Sequence, residues 1–296
     1  MIGRVTQSMM SDQLLGNVRQ LQRRLLDAQD ALSSGKTLRA PSDDPQGAAL
    51  VNGLRAQSRD LTSLSRTVGF GRAVLSAQDD ALDQAEDLMV RAKEIASQQA
   101  GTFATVESRQ AAAEEIDAIE RQLIALGNTE IDGRQVFGGL ASGTPVFTDP
   151  DDPGFDPLNP YTGPADPFSI RTAPGTTVRL TTPGGDVFGS SIAALDDLRQ
   201  TLAAGNSSTA NIDTLETATD ALRVERTSVG GRARQLEDRA GELTSSVSKV
   251  TARLGEIEGA DYATVITELT RLQTALEATL TSSQTLQTSI LDYLNL

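Results

Sequence analysis

Side-chain catalysis draws first on histidine and cysteine, and this chain of 296 residues contains neither. A serine hydroxyl attacks only when a neighbouring base takes its proton, and no serine here stands in a recognisable nucleophile–base arrangement. There is no P-loop to cradle phosphates and no dinucleotide fingerprint. The one cluster with ligand chemistry is Asp149, Asp151, Asp152 and Asp156. Carboxylates so close together suit a hard cation such as calcium. The order of an EF-hand is missing, however, with Pro160 where the closing glutamate would stand, so the four read as turn residues. Asn206-Ser207-Ser208 fits a glycosylation acceptor and reads as a polar loop. The other carboxylates fall mostly between apolar positions of helical segments, which is the placement of solvated charge. The expectation is therefore no catalytic residue, no metal, no other cofactor, and a chain that is not an enzyme.

Composition narrows the partners. The formal charge is −14 with no dense Lys/Arg run, so the phosphate attraction that drives binding to nucleic acid or an anionic membrane is missing, and neither partner is expected. No apolar run reaches the roughly 18 residues of a membrane span. The opening Met1-Ile2-Gly3-Arg4-Val5 lacks the apolar core of a cleaved signal peptide, so export, if it occurs, takes another route. Aromatics make up only 3% of the residues, which favours long helices over a compact aromatic core.

The elements follow from periodicity. Asp261 to Leu296 contains no glycine or proline and places Tyr262, Val265, Leu269, Leu272, Leu276, Thr279, Ser283, Leu286, Ile290 and Tyr293 at steps of three and four. This is a helix with one apolar seam, capped at its start by Asp261. Burying one such row does not offset the entropy of ordering so many residues, so the helix needs a partner. A matching seam runs from Met10 through Leu14, Val18, Leu21, Leu25, Ala28 and Leu32, and stops at Ser33-Ser34-Gly35, where Lys36 is placed to meet the negative helix end. Asp44 caps a restart with Pro45 in the first turn. The next seam comprises Leu50, Leu54, Leu61, Leu64, Val68, Leu75, Leu82, Ala85, Met89, Ala92 and Ala96; Gly69 and Gly71 suggest a bend, and Gly101 ends it. A third helix spans Val106 to Leu126, and a hairpin turns at Asp132-Gly133. All prolines except Pro41 and Pro45 lie between Gly138 and Gly189. Helix is excluded there, and Thr177–Thr181 and Val187-Phe188 read as strands. Helix then resumes at Ile192 and, after Gly205-Asn206, holds one heptad phase from Ile212 to Ile257.

The expected fold is mainly α: a long antiparallel coiled coil or bundle formed by the N- and C-terminal regions, with a small inserted β-rich domain. Residues 1–44 and 256–296 would form the terminal coiled coil, 45–137 and 190–255 a helical bundle with a small hairpin, and 138–189 the inserted outer domain. Because the apolar seam reaches Ile290-Leu291-Asp292-Tyr293-Leu294, where a lone subunit is normally polar, the terminal seams are expected to meet other subunits. The assembly residues are Leu14, Val18, Leu21, Leu25, Leu32, Leu269, Leu272, Leu276, Leu286, Ile290 and Tyr293, and the capping and loop residues are Gly35, Asp43, Asp44 and Pro45.

Ala31-Leu32-Ser33-Ser34-Gly35-Lys36 followed by Asp43-Asp44, the stretch Asn128 to Phe137, and Arg226 to Leu236 with Gly230 together resemble the bacterial flagellin superfamily. Pro41-Ser42-Asp43-Asp44-Pro45, Pro183-Gly184-Gly185-Asp186-Val187-Phe188-Gly189 and the ending Ser289-Ile290-Leu291-Asp292-Tyr293-Leu294 look more like its hook–filament junction branch, hook-associated protein 3. The resemblance implies export without a cleaved signal peptide, unfolded, through the flagellar type III channel, with a flagellar export chaperone as a partner. It implies termini that order only on assembly, line the inside of a tube and leave the β domain outermost. It also implies a ring of like subunits in the extracellular flagellum, between the first hook-associated protein and the flagellin filament. A filament-forming flagellin and a secreted or signalling coiled coil remain the alternatives.

Overall fold

The computed structural model describes residues 2–37, 44–141, 143–150 and 152–294, with the side chains at 2–8, 10, 11 and 283–294 outside the description. Its elements are α1 (Ile2–Ser34), α2 (Pro45–Gln99), α3 (Val106–Gly127), β1 (Glu130–Ile131), β2 (Arg134–Gln135), β3 (Ser169–Ala173), β4 (Thr176–Arg179), α4 (Gly184–Ala203), α5 (Asn211–Glu258) and α6 (Tyr262–Leu294). Their boundaries have local causes. Gly35 takes φ +66° and donates its N–H to Ala31 O at 2.9 Å, closing α1. The Asp44 carboxylate accepts from Gln46 N at 3.0 Å while Pro45 opens α2. Thr105 accepts from Ser108 N at 3.2 Å at the head of α3. Asp261 accepts from Ala263 N at 3.0 Å and Thr264 Oγ1 at 2.7 Å at the head of α6, and these donors hold its carboxyl below the usual range.

The chain divides into two compact units, Met1–Arg59 with Val247–Leu296, and Asp60–Ser246. In the second unit α5 buries Leu215, Leu222, Val229, Leu236 and Leu243, one every seventh residue. Val68, Leu75, Leu82, Ala85, Met89, Ala92 and Ala96 of α2 and Ile116, Ile119 and Leu123 of α3 join the same core. Along α2, Arg72, Asp79, Glu86 and Lys93 recur at the same interval and pair with Glu237, Arg226, Arg223 and Glu216 of α5. The partner numbers fall as the α2 numbers rise, so the two helices are antiparallel. Exposed pairs of this kind contribute little stability but disfavour other registers.

The proline-rich segment packs into that core. Val146, Phe147, Ile170, Val178 and Leu180 are all buried. Phe137, Phe147 and Phe188 meet edge to face, with centroids 4.8 Å apart for Phe137–Phe188 and 5.9 Å for Phe147–Phe188. β3 and β4 pair antiparallel, with Ile170 opposite Val178. Asp132 (φ 51°) and Gly133 (φ 76°) form the tight turn between β1 and β2.

Several sequence expectations change here. Val187 and Phe188 lie in α4, not in a strand, and helix is not excluded up to Gly189. Pro183 stands just before the first helical residue, where its missing N–H costs nothing, and Phe188, Ile192 and Leu195 bury at helical spacing. No break in α2 accompanies Gly69 and Gly71. Gly71 instead permits close approach, since a Cβ there would lie 2.6 Å from Ile170 Cδ1 and 2.9 Å from Leu236 Cδ1. Leu50 is exposed, and Val51 takes its buried position. Helix α1 begins at Ile2 instead of Met10.

Candidate assembly interface

Within the first unit α1 and α6 pack against each other. The C-terminal end of α1 lies beside the start of α6, so the pair is antiparallel. Leu14, Val18, Leu21, Leu25, Ala28 and Leu32 of α1 are half-buried, as are Val265, Leu269, Ala275, Leu276 and Thr279 of α6. Full burial is reached only by Ala31 and Leu272 among the described residues of this helix pair. Leu286, Ile290 and Tyr293 fall on α6, but their side chains lie outside the described residues, and Asp43 lies outside them entirely. Tyr262 is no seam residue: it is exposed, and its hydroxyl lies where a Cβ on Gly35 would come within 2.7 Å. Ala31 and Ala275 are the seam residues that sequence reasoning missed. Ala31 stands three residues from Ala28, and Ala275 three from Leu272 and four from Thr279, but alanine's small apolar signal is shared by many surface positions of these helices.

The outer faces carry a second apolar set. Leu15 and Leu26 on α1 are 51% and 57% exposed, and Ile266 and Leu280 on α6 are 50% and 49% exposed. Spacings of 11 and 14 residues are close to whole helical turns, so each pair shares a face. A groove of about 490 Å³ runs beside the pair, floored by Ala28, Ala31, Val265 and Leu272 and edged by Arg24 and Glu268.

The two chain breaks of this unit are tied together. Thr37 N–H donates to Glu258 O and Ala260 N–H to Gly35 O, each at 2.9 Å, flanking an antiparallel bridge between Lys36 and Gly259. The buried Glu258 carboxylate receives Lys36 Nζ at 2.8 Å and an Arg55 Nη2 contact at 2.7 Å. Lys36 chiefly, with Arg55, holds that carboxyl below its usual range against the opposing effect of burial. Lys36 is thus engaged by Glu258, whereas helix-end reasoning had placed it against the negative end of α1.

Candidate ligand chemistry stays local elsewhere. Asp152 and Asp156 each accept a backbone N–H two residues on, from Gly154 at 2.8 Å and Leu158 at 3.0 Å, which is turn chemistry. Asp151 lies outside the described residues, among which no group of three or more acidic residues could hold a metal. In the Asn206-Ser207-Ser208 loop, Ser208 is buried and donates to Ala96 O. Among the described residues no helix is long and apolar enough to cross a membrane.

Two family models match the chain: the bacterial flagellin N-terminal helical region over residues 5–142 and the bacterial flagellin C-terminal helical region over residues 212–294. Flagellin A of Vibrio anguillarum is 29% identical over 111 residues, 37% of this chain and 29% of that protein's length. A Listeria monocytogenes flagellin is 24% identical over 257 residues, 83% of each chain. Among solved structures, a putative flagellar hook-associated protein from Vibrio parahaemolyticus superposes with a TM-score of 0.64 at 16% identity, over 73% of this chain and all of that one. The flagellar junction protein FlgL from Legionella pneumophila does so with a TM-score of 0.56 at 13% identity, over 71% and 99%. At these identities the superpositions establish the shared fold. With both helical regions matched across most of its length, and the α1–α6 pair and long α2–α5 pair where those regions lie, the chain belongs to the bacterial flagellin family.

Proposed function

We propose that this protein is a structural adapter of the bacterial flagellum, joining the hook, through the first hook-associated protein, to the flagellin filament, with no catalytic role. The observation that carries the reading is the incomplete burial of the α1–α6 pair, which leaves large apolar side chains in water on both helices. Surface of that kind is covered when neighbouring subunits supply matching helices, and a ring of like copies does so. Export through the flagellar type III channel as an unfolded chain, attended by a chaperone, accords with two terminal helices that hold few buried contacts of their own. The junction role over a filament role is supported by Pro41-Ser42-Asp43-Asp44-Pro45, by the Leu291-Asp292-Tyr293-Leu294 ending, and by the likeness to structures described as hook-associated and junction proteins.

A filament-forming flagellin is the second reading, favoured by the flagellins that align along most of the chain. Deleting the coding sequence separates the two. The adapter reading expects hooks without filaments and flagellin released into the medium. Purified protein that polymerises alone into long filaments overturns it.

A further inference from the structure

The seam between α3 and α4 carries two buried carboxylates and one cation. Glu120 of α3 is 2% exposed and Asp196 of α4 is 6% exposed. Both turn to Arg199 of α4. Its Nη2 donates to Asp196 Oδ1, and Gln200 Nε2 donates to Asp196 Oδ2 at 2.7 Å, so each Asp196 oxygen has a donor. Glu120 has no such provision. Its Oε2 lies 3.4 Å from Arg199 Nε without hydrogen-bond geometry, and its Oε1 is buried with no partner. The other charge acting on it is Asp117, one turn earlier on α3, itself held by Arg121 at 2.9 Å.

A buried carboxylate without donors is costly as an anion, and a second anion competing for the same guanidinium raises that cost. Burial first, then the charge of Asp196, push the Glu120 carboxyl up to about 7. Asp196, with a donor on each oxygen, holds the arginine.

We propose that Glu120 is a proton-operated catch on the α3–α4 seam: with its proton on, the seam holds one anion and one cation, and with it off, two anions share one guanidinium and the seam opens more readily. This goes beyond the assembly reading and does not depend on it. The catch works around neutral pH, and its reach is local, because α4 is the helix that returns the chain from the proline-rich segment to α5.

The test uses the full chain. Side-chain carboxyl resonances are followed by ¹³C NMR with Glu120→Gln supplying the assignment, and amide exchange at residues 116–124 and 192–202 is measured at pH 5.5 and 8, each corrected for intrinsic exchange. For a carboxyl moving from about 4.5 in water to about 7 in the seam, openings that expose Glu120 become roughly 30-fold more populated between those two pH values. The wild type should show that rise, E120Q should not, and one glutamate should titrate near 7. A wild type in which no glutamate titrates near 7 overturns the proposal even if E120Q fails to fold, as does the same pH dependence in both proteins.

Discussion

Replacing Glu258 by glutamine should loosen the terminal helices while leaving residues 60–246 as they are. The variant keeps the shape of the side chain and removes the charge that draws Lys36 and Arg55 together. A buried hydrogen bond to a charged group contributes about 1.5–3 kcal/mol, and Arg55 adds an ion pair to Oε1 without hydrogen-bond geometry. Both cations are half-exposed, at 47% and 48%, and regain water when released, so the two contacts together should amount to about 1–2 kcal/mol. That corresponds to roughly a five- to thirty-fold rise in local opening. Amide exchange at residues 28–34 and 262–269 reads it directly, and is preferable to one global unfolding curve for a chain of two units. The sign with pH is also set. The folded-state carboxyl lies below its unfolded value, so its contribution is present above the usual carboxylate range and is lost as pH falls through the lowered value. The gap between wild type and E258Q should therefore close on acidification below about pH 4. Equal exchange at pH 7, or an undiminished gap at pH 3, would refute the assignment of Glu258 as the tie between the chain breaks.

Asn128 ends α3 by accepting from Val146 N and Phe147 N, each at 2.9 Å, and donating to Phe147 O at 3.1 Å. Asn128→Ala strands those backbone groups and should cost about 2–4 kcal/mol, read as a lower urea midpoint for the second unit, with Asn128→Asp intermediate. The two α2 glycines should respond with opposite signs. Gly69→Ala meets nothing within 4 Å and should stabilise by up to about 1 kcal/mol, while Gly71→Ala presses on Ile170 and Leu236 and should destabilise, both measured by thermal unfolding.

Periodicity revealed the long helices because their buried residues recur at fixed steps: Leu215 to Leu243 every seventh position, and Val265, Leu269, Leu272 and Leu276 along α6. The caps at Asp44 and Asp261 were equally legible, since a helix start is decided within a few residues. Misreadings arose where distant parts of the chain decide the outcome. Val187 and Phe188 alternate like a strand, but Phe188 is drawn into the aromatic cluster of Phe137 and Phe147 at helical spacing. Gly71 suggests a bend from sequence alone, and its role in close packing shows only once Ile170 and Leu236 are seen against it. The Lys36–Glu258–Arg55 tie and the Glu120–Asp196–Arg199 cluster leave no local signature, because each joins ordinary surface-type residues from separate helices or linkers.

Because the chain has no cysteine of its own, single cysteines report burial without interference. Leu26→Cys and Ile266→Cys on the outer faces of α1 and α6, with Leu158→Cys as an exposed control in the proline-rich segment, should all react rapidly with a maleimide in dilute protein. In isolated flagella the first two should be protected and the third should still react. Undiminished labelling of Leu26→Cys and Ile266→Cys in flagella would contradict the claim that neighbouring subunits cover the terminal helix pair.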